Sequence, residues 1–218
     1  EVLEAVAFIT GFAPADIHLK RRERQKGTQQ YEKTGKAGAD FIVHEHGRRF
    51  WVNLEKYLDT GLFLDHRNTR QRVGEMAAGK RFLNLFAYTG SFSVYAATGG
   101  AAASETVDLS NTYLDWARRN FELNGIDEAR HQIVRADVFQ YLQAAAQAGK
   151  PFDLIVMDPP SFSNSKKMLD ILDIQRDHMR LIDGAMALLA SDGLLFFSNN
   201  LRSFALDEAV AQKYAVKE

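Results

Sequence analysis

The fold is decided by one stretch of the sequence, Phe152-Asp153-Leu154-Ile155-Val156-Met157-Asp158-Pro159-Pro160-Ser161-Phe162. Its apolar first half predicts a buried strand, and the two prolines force an extended exit at the carboxyl end of that strand. Open α/β sheets bind their ligands at this edge, where an acid, a rigid turn and an aromatic ring form a slot for a flat base. A second interpretation is equally open on this stretch alone: the prolines only end the strand, and Phe162 packs beneath it.

Strands and helices alternate on both sides of this stretch. We predict strands at residues 81–86, 101–107, 132–135, 152–157 and 194–198. Helices are predicted between and after them, at residues 91–97, 110–123, 138–148, 173–189 and 207–214. Strict alternation of this kind indicates parallel βαβ units, so the sequence predicts an α/β protein with a doubly wound sheet.

The amino-terminal region has a different pattern. Residues 1–10 predict a helix and residues 16–22 a strand, and residues 41–43 and 50–52 predict a hairpin that turns at His46-Gly47. We therefore expect two parts, a small β-rich element over residues 1–60 and the doubly wound domain over residues 61–218.

Composition excludes several classes of protein. The 218 residues are 46% hydrophobic and 25% charged, the net charge is −1, and cysteine is absent. No apolar run reaches membrane-spanning length and no signal pattern is present, so we expect a cytoplasmic protein without a membrane partner. Without cysteine there is no disulfide, thiolate metal site or cysteine nucleophile. His44 and His46 flank Glu45, which alternation puts on the opposite face, so no metal site is expected.

The turn after the first strand of the sheet narrows the choice of ligand. A dinucleotide site would need three glycines spaced G-x-G-x-x-G, whereas Asn84-Leu85-Phe86-Ala87-Tyr88-Thr89-Gly90-Ser91 contains only Gly90. Asp108 ends the second strand at the position that usually binds ribose hydroxyls, and Asp137 ends the third strand, where it could accept from an adenine amine. Either acid could instead be a helix N-cap.

Three acids at the carboxyl ends of successive strands, Asp108, Asp137 and Asp158, are hard to explain by capping alone. They describe a nucleoside-shaped pocket without a phosphate cradle, which suits S-adenosylmethionine. At this point the chain resembles the Rossmann-like S-adenosylmethionine-dependent methyltransferases.

Longer motifs resemble one group of these enzymes, the bacterial 23S ribosomal RNA methyltransferases. They are Tyr57-Leu58-Asp59-Thr60-Gly61-Leu62-Phe63-Leu64-Asp65-His66-Arg67, the turn just quoted, Asp158-Pro159-Pro160-Ser161-Phe162 and Ser198-Asn199-Asn200. Three stretches are similar to the carboxyl-terminal half of the bifunctional large-subunit guanine methyltransferases: Lys20-Arg21-Arg22-Glu23-Arg24-Gln25-Lys26-Gly27, residues 158–166 and Gln175-Arg176-Asp177-His178. That half is associated with 7-methylguanine, and the other half, with guanine N2 methylation, is absent from this chain.

The resemblance implies roles for individual residues. The methionine end of S-adenosylmethionine would be lined by Asn84, Ala87 and Gly90. Its ribose would be held by Asp108 and its adenine by Asp137. The cofactor side of the pocket would be closed by Asp65 and Arg67. Asp158, Pro159 and Phe162 would form the catalytic slot for the base. The family's sheet finishes with an antiparallel hairpin, whereas this chain continues into the predicted helix at 207–214, so we expect the closing hairpin to be absent. His66 and His178 predict no role beyond their place in these motifs.

The chemistry of the bases favours guanine N7. Methylation at pyrimidine C5 normally needs a cysteine, which this chain lacks. Enzymes for exocyclic amines usually place Tyr or Phe directly after Pro-Pro, but here Ser161 intervenes. Guanine N7 already has an in-plane lone pair, so a stacked ring, an acid at the base edge and an aligned cofactor suffice. Guanine N2 or another base nitrogen is the alternative within this class, and a non-catalytic RNA-binding or ribosome-assembly module is the alternative outside it.

Ribosomal RNA as the partner requires basic contacts. Between residues 16 and 36 seven basic residues face three acidic ones, in a segment that is also rich in glycine and glutamine. Such a patch can hold phosphates, although taken alone it could equally be a solvated loop. We predict RNA contacts at Lys20, Arg21, Arg22, Arg24 and Lys26, and at Lys166 and Lys167 beside the base slot.

Overall fold

The computed structural model describes residues 2–19, 38–57, 59–163 and 172–217. Its strands are β1 (Asp40–Glu45), β2 (Arg48–Asn53), β3 (Arg81–Leu85), β4 (Ala103–Asp108), β5 (His131–Arg135), β6 (Phe152–Met157), β7 (Phe162–Ser163), β8 (Leu172–Asp173) and β9 (Leu189–Phe197). Its helices are α1 (Val2–Thr10), α2 (Arg67–Met76), α3 (Ser91–Thr98), α4 (Asn111–Leu123), α5 (Val138–Gln147), α6 (Ile174–Met186) and α7 (Glu208–Lys213), with a 3₁₀ turn at Pro14–Asp16.

Five parallel strands form the central sheet in the order β5-β4-β3-β6-β9. The chain leaves β3 toward β4 and β5 on one side and later enters β6 and β9 on the other, so the order reverses between β3 and β6. In open α/β sheets the crevice at such a reversal is the usual ligand site. The predicted α/β fold with a doubly wound parallel sheet is confirmed.

The sheet is covered on both faces because its central strands are apolar at consecutive positions. Leu83, Leu85, Ile155 and Met157 belong to one core cluster together with residues of α5 and α6. The intervening positions Phe82, Leu154 and Val156 belong to a second cluster with residues of α2 and α3. This alternation follows from the two-residue period of a strand and places one helix layer on each side.

The amino-terminal hairpin β1-β2 packs against α4 through polar contacts. The Trp116 indole N–H donates to the Trp51 carbonyl at 2.8 Å, and the Trp51 N–H donates to the Asn120 side chain at 2.9 Å. Arg119 of α4 pairs with Asp40 of β1 at 2.8 Å. The predicted hairpin and its turn at His46-Gly47 are confirmed.

The structure corrects two sequence predictions. The strand predicted at residues 16–22 is wrong in its described part: Pro14–Asp16 forms a 3₁₀ turn closed by the Ile17 N–H on the Pro14 carbonyl, and residues 17–19 pair with no described strand. An alternating pattern forms a strand only where a partner supplies hydrogen bonds. Helix α2 was not predicted, because it is mostly polar and buries Arg70, Val73 and Gly74.

The carboxyl-terminal part agrees with prediction in kind and differs in extent. Strand β9 begins at Leu189, five positions before the predicted start, and α7 covers Glu208–Lys213 within the predicted 207–214. Across the described residues no helix has the length and apolar character needed to cross a membrane.

Candidate active site

A cavity of about 630 Å³ opens at the carboxyl ends of β3, β4, β5 and β6. This volume lies in the range of pockets that hold ligands of nucleoside size and above. Seven residues predicted from the sequence line it: Asp65, Asn84, Ala87, Asp108, Asp137, Asp158 and Pro159. The structure therefore brings the acids of three strand ends into one cavity.

The turn between β3 and α3 has an unusual backbone. Phe86, Tyr88 and Gly90 have φ values of 57°, 52° and 72°, so two non-glycine residues adopt the left-handed conformation. Each such residue costs on the order of 1 kcal/mol or more and is tolerated where its surroundings compensate. The compensation comes partly from β4, where the Val107 carbonyl accepts the Ala87 N–H at 3.0 Å.

Asp108 also supports this turn. Its carboxylate accepts the Tyr88 N–H at 2.9 Å and the Ser110 N–H at 2.8 Å. Burial raises the pKa of Asp108, while backbone hydrogen bonds from Ser110, Tyr88 and Leu109 act in the opposite direction. Asp108 thus shapes the turn that forms the cavity wall and also lines the cavity itself.

The segment before α2 is attached to the same turn. Gly61 donates its N–H to the Tyr88 hydroxyl at 3.0 Å and accepts from the Thr89 hydroxyl at 2.7 Å. The Asn120 amide donates to the Thr89 carbonyl at 3.0 Å. These bonds place the start of the motif at 57–67 beside the turn at 84–91, although the two are separated in the sequence.

Asp137 is an N-cap, as one of the two interpretations from the sequence has it, and its place in the cavity leaves the other interpretation open. It is the N-cap of α5, where its carboxylate accepts the Gln140 N–H at 3.2 Å, and it also lines the cavity while only 6% of its surface is exposed. Asn84 lies on β3 and is also buried, with 2% of its surface exposed; its amide donates to the Ser93 hydroxyl at 3.0 Å, which in turn accepts from the Thr106 hydroxyl at 2.7 Å.

Asp158, at the end of β6, is held by two side chains from distant parts of the chain. The Ser198 hydroxyl donates to its Oδ1 at 2.6 Å, and the His66 Nε2 lies 3.3 Å from its Oδ2. The hydrogen bond with Asp158 raises the pKa of His66 above its ordinary 6.5, against a lowering by burial. His66 lines the cavity beside Asp158.

The family of this chain follows from a family model that matches residues 3–212 and describes an S-adenosylmethionine-dependent methyltransferase. The chain belongs to this family. Its description names S-adenosylmethionine as the cofactor, and the sheet, the single-glycine turn and the acids of the cavity agree with it.

Two curated relatives match over the whole chain. A "Ribosomal RNA large subunit methyltransferase K" of Neisseria meningitidis serogroup B is 81% identical over 218 residues, and a "Ribosomal RNA large subunit methyltransferase K/L" of Chromohalobacter salexigens is 56% identical over 218 residues. The chain spans 62% of the first relative and 29% of the second.

A solved structure supports the same family. SMU.776, assigned as a methyltransferase and solved in complex with SAH, is 38% identical with a TM-score of 0.72. The similarity covers 77% of this chain and 44% of that one.

The cavity of this family member also contains residues that the sequence did not single out. Five carboxylates line it, since Asp59 joins the four predicted aspartates named above, and the basic residues that line it are His66 and Arg70. Its rings are Phe63, Phe86, Tyr88, Phe92 and Tyr113. Asp59, Phe63 and His66 lie within the motif at 57–67, which was the available signal for them.

Arg70 could not be inferred from the sequence. Its guanidinium donates to both carboxylate oxygens of Glu45 at 2.9 Å and to the Phe63 carbonyl at 2.8 Å, and only 1% of the residue is exposed. The Tyr95 hydroxyl also donates to Glu45, at 2.9 Å. This buried ion pair joins the hairpin to α2, one helical turn after His66.

Three predicted site residues do not line the cavity. Arg67 is exposed in the first turn of α2. Gly90 ends the turn, and a side chain there would approach the Ala117 Cβ to 2.9 Å, so close packing against α4 explains this glycine. Phe162 is 50% exposed and pairs through its backbone with Asp173 in the short β7-β8 ladder, while its neighbours Pro160 and Ser163 line the cavity.

The predicted RNA contacts at Lys20, Arg21, Arg22, Arg24, Lys26, Lys166 and Lys167 lie outside the described residues. Among the described parts of the chain, no group of three or more His, Asp or Glu side chains could hold a metal ion.

Proposed function

We propose that this chain catalyses S-adenosylmethionine-dependent methylation of a guanine in 23S ribosomal RNA, at N7. One observation carries the proposal: Asp158 and Pro159 open into the same cavity as Asp108 and Asp137. A cofactor held by the latter pair would therefore share one cavity with a base held by the former.

The charges that line the cavity support S-adenosylmethionine as the cofactor bound there. S-adenosylmethionine carries a sulfonium cation, and most of the ionisable side chains that line the cavity are carboxylates, whereas the charge of Arg70 is neutralised by Glu45. We assign the ribose hydroxyls to Asp108, the adenine amine to Asp137 and the methionine end to Asn84 and Ala87, with Asp65 at the cavity rim. Gly90 acts by permitting the turn, and Arg67 stays a prediction.

The proposal that guanine is the target base rests on the residues that follow β6. Asp158 accepts from Ser198 through one oxygen and lies against His66 through the other, and each oxygen keeps a second lone pair for the N1–H and the N2 amine of guanine. The Ser161 hydroxyl donates to the Asn200 side chain and so joins the loop after β6 to the cavity wall after β9. Phe162, exposed beside this wall, is proposed to stack on a neighbouring base at the mouth of the cavity.

Guanine N7 needs no proton removed before it reacts. S-adenosylmethionine supplies the methyl group as the electrophile, and the N7 lone pair forms the new bond while the S–C bond breaks and its electron pair stays on sulfur. Positive charge then moves onto the guanine ring. The Asp158 carboxylate at the N1–H edge stabilises that charge, while the cavity wall aligns the base, so positioning and electrostatics supply the catalysis.

The names of the relatives and the local charge support ribosomal RNA as the proposed substrate. Both relatives are named for methylation of large-subunit ribosomal RNA. We propose that residues 1–60 form the RNA-contact element and residues 61–218 the methyltransferase domain, with the basic segment at 20–26 and Lys166-Lys167 on phosphates. A second methyltransferase half as partner stays a prediction.

Calorimetric titration tests the cofactor site. We expect Asp108→Ala to weaken S-adenosylmethionine binding by about 100-fold or more, because a charged acceptor and the support of the Tyr88 N–H are lost together. Asp115→Ala is the matched control, since Asp115 is an exposed acid on α4 that pairs with Arg118. Equal affinities of the Asp108→Ala variant and the wild type would refute the ribose assignment.

Nucleoside mass spectrometry tests the reaction. In 23S ribosomal RNA from a strain that lacks the gene, 7-methylguanine is expected to fall, and the wild-type gene, unlike Asp158→Ala, is expected to restore it. Loss of N2-methylguanine in its place would reassign the target atom. No change in any nucleoside, with cofactor binding intact, would favour the non-catalytic RNA-binding module.

A further inference from the structure

We propose that His66 is a positioning residue: its Nε2 group holds one oxygen of the Asp158 carboxylate while Ser198 holds the other, so that the carboxylate meets the target base in a single orientation. The inference rests on the proposed function and deepens it. It assigns a role to a histidine that the sequence left without one.

The place of His66 is set by α2 and the hairpin. His66 directly precedes α2, and its carbonyl accepts the Arg70 N–H at 2.8 Å. Arg70 in turn is fixed by Glu45 of β1 and by the Phe63 carbonyl. The imidazole also packs near the Phe92 ring of α3, with 5.6 Å between ring centroids. His66 is therefore held by elements on three sides before it reaches Asp158.

The two oxygens of Asp158 have different partners. The His66 Nε2 lies 3.3 Å from Oδ2, within ion-pair distance, and the Ser198 hydroxyl donates to Oδ1 at 2.6 Å. A separate partner at each oxygen restricts the rotation that a carboxylate at a strand end otherwise has. About 1 Å of misplacement in a catalytic constellation can cost on the order of 100-fold in rate.

Three charged groups act on His66. Asp158 at the end of β6 and Asp65 in the segment before α2 raise its pKa above 6.5, and Arg70 on α2 lowers it. Because the pKa is raised, the imidazolium persists at higher pH than in a free histidine, and its ion pair with Asp158 weakens as pH rises through that pKa. The methylation rate should therefore fall with rising pH over that range.

Substitutions separate positioning from simple packing. The probe is 23S ribosomal RNA from the strain that lacks the gene, with S-adenosylmethionine as the donor. We expect His66→Ala to lower kcat by about 10- to 100-fold and to change KM for S-adenosylmethionine by less than about twofold. His66→Gln keeps an amide donor near the position of Nε2 and should recover most of the rate. Because glutamine does not titrate, the rate of this variant should not fall at high pH.

Asn68→Ala is the matched control, because Asn68 is exposed on α2 and does not line the cavity. It should leave both rate and pH profile unchanged. If His66→Ala retains the wild-type kcat, or if His66→Gln keeps the high-pH fall, the positioning role is overturned.

NMR titration of His66 gives a readout that needs no activity. We expect the His66 pKa to lie above 6.5 in the wild type and to drop in Asp158→Asn. If wild-type protein transfers no methyl group, the proposed function fails, and the titration still decides whether His66 holds Asp158. A His66 pKa that is unchanged by Asp158→Asn overturns the inference whatever the activity.

Discussion

The two halves of the cavity hold their acids by different means. On the side of β4 and β5, Asp108 and Asp137 accept backbone N–H groups, which belong to the turns that those acids begin or support. On the side of β6, Asp158 is held by the side chains of His66 and Ser198. Backbone donors are present in any strand-turn-helix unit, whereas side-chain donors must be delivered by the rest of the fold.

This difference has consequences for stability and binding. In the backbone-held half, the part of the cavity around Asp108 and Asp137, the acids should be displaced only when the adjacent turn or helix cap is lost, which is a local change. In the side-chain-held half, the part around Asp158, the acid should lose its orientation when an element that carries one of its partners is displaced, even if the displacement begins away from the base.

The largest expected effect acts on the side-chain-held half through α2, the helix that follows His66. Arg70→Met leaves the Glu45 carboxylate buried without its cation, so the free energy of unfolding should fall by about 3–5 kcal/mol. Urea denaturation measures this change. Arg72→Met is the matched control, because Arg72 is exposed on the same helix and should cost less than about 0.5 kcal/mol. A small loss in Arg70→Met would mean that α2 is placed by packing alone.

The next effect concerns the turn of the backbone-held half. Gly90→Ala puts a Cβ on a residue with a φ of 72° and within 2.9 Å of the Ala117 Cβ. We expect a loss of about 2–4 kcal/mol in the free energy of unfolding, from left-handed strain together with overpacking.

Gly125→Ala isolates the strain contribution. Gly125 has a φ of 66° and no atom within 4 Å of the added Cβ, so this variant should lose only about 1 kcal/mol. Equal losses at both positions would contradict the packing of Gly90 against α4.

The smallest effect distinguishes capping from ligand binding at Asp137. Asp137→Ala should lower the free energy of unfolding by about 1 kcal/mol, whereas Asp137→Ser, which keeps an N-cap acceptor, should leave it nearly unchanged. Both variants should weaken the binding of S-adenosylmethionine, measured by calorimetry, by about fivefold to tenfold, because both remove the carboxylate. Wild-type affinity in Asp137→Ser would leave Asp137 as a cap only.

The predictions from sequence were most accurate where structure is locally encoded. The buried run before Asp158, the single-glycine turn and the acids after β4 and β5 follow from periodicity and from the edge at which parallel strands end. They led to the correct sheet and to seven residues that line the cavity. Helix α2 escaped prediction because its buried face contains an arginine, which an apolar pattern cannot reveal.

The sequence by itself determined the alternation of strands and helices and the carboxyl edge where the acids gather, because both depend on periods of two and 3.6 residues. Only the tertiary structure decided which side chains meet there. It brought His66 to Asp158 and Glu45 to Arg70, and it placed Phe162 outside the cavity lining. The physical reason is that contacts between side chains from separate elements depend on how those elements pack, and no local pattern encodes that packing.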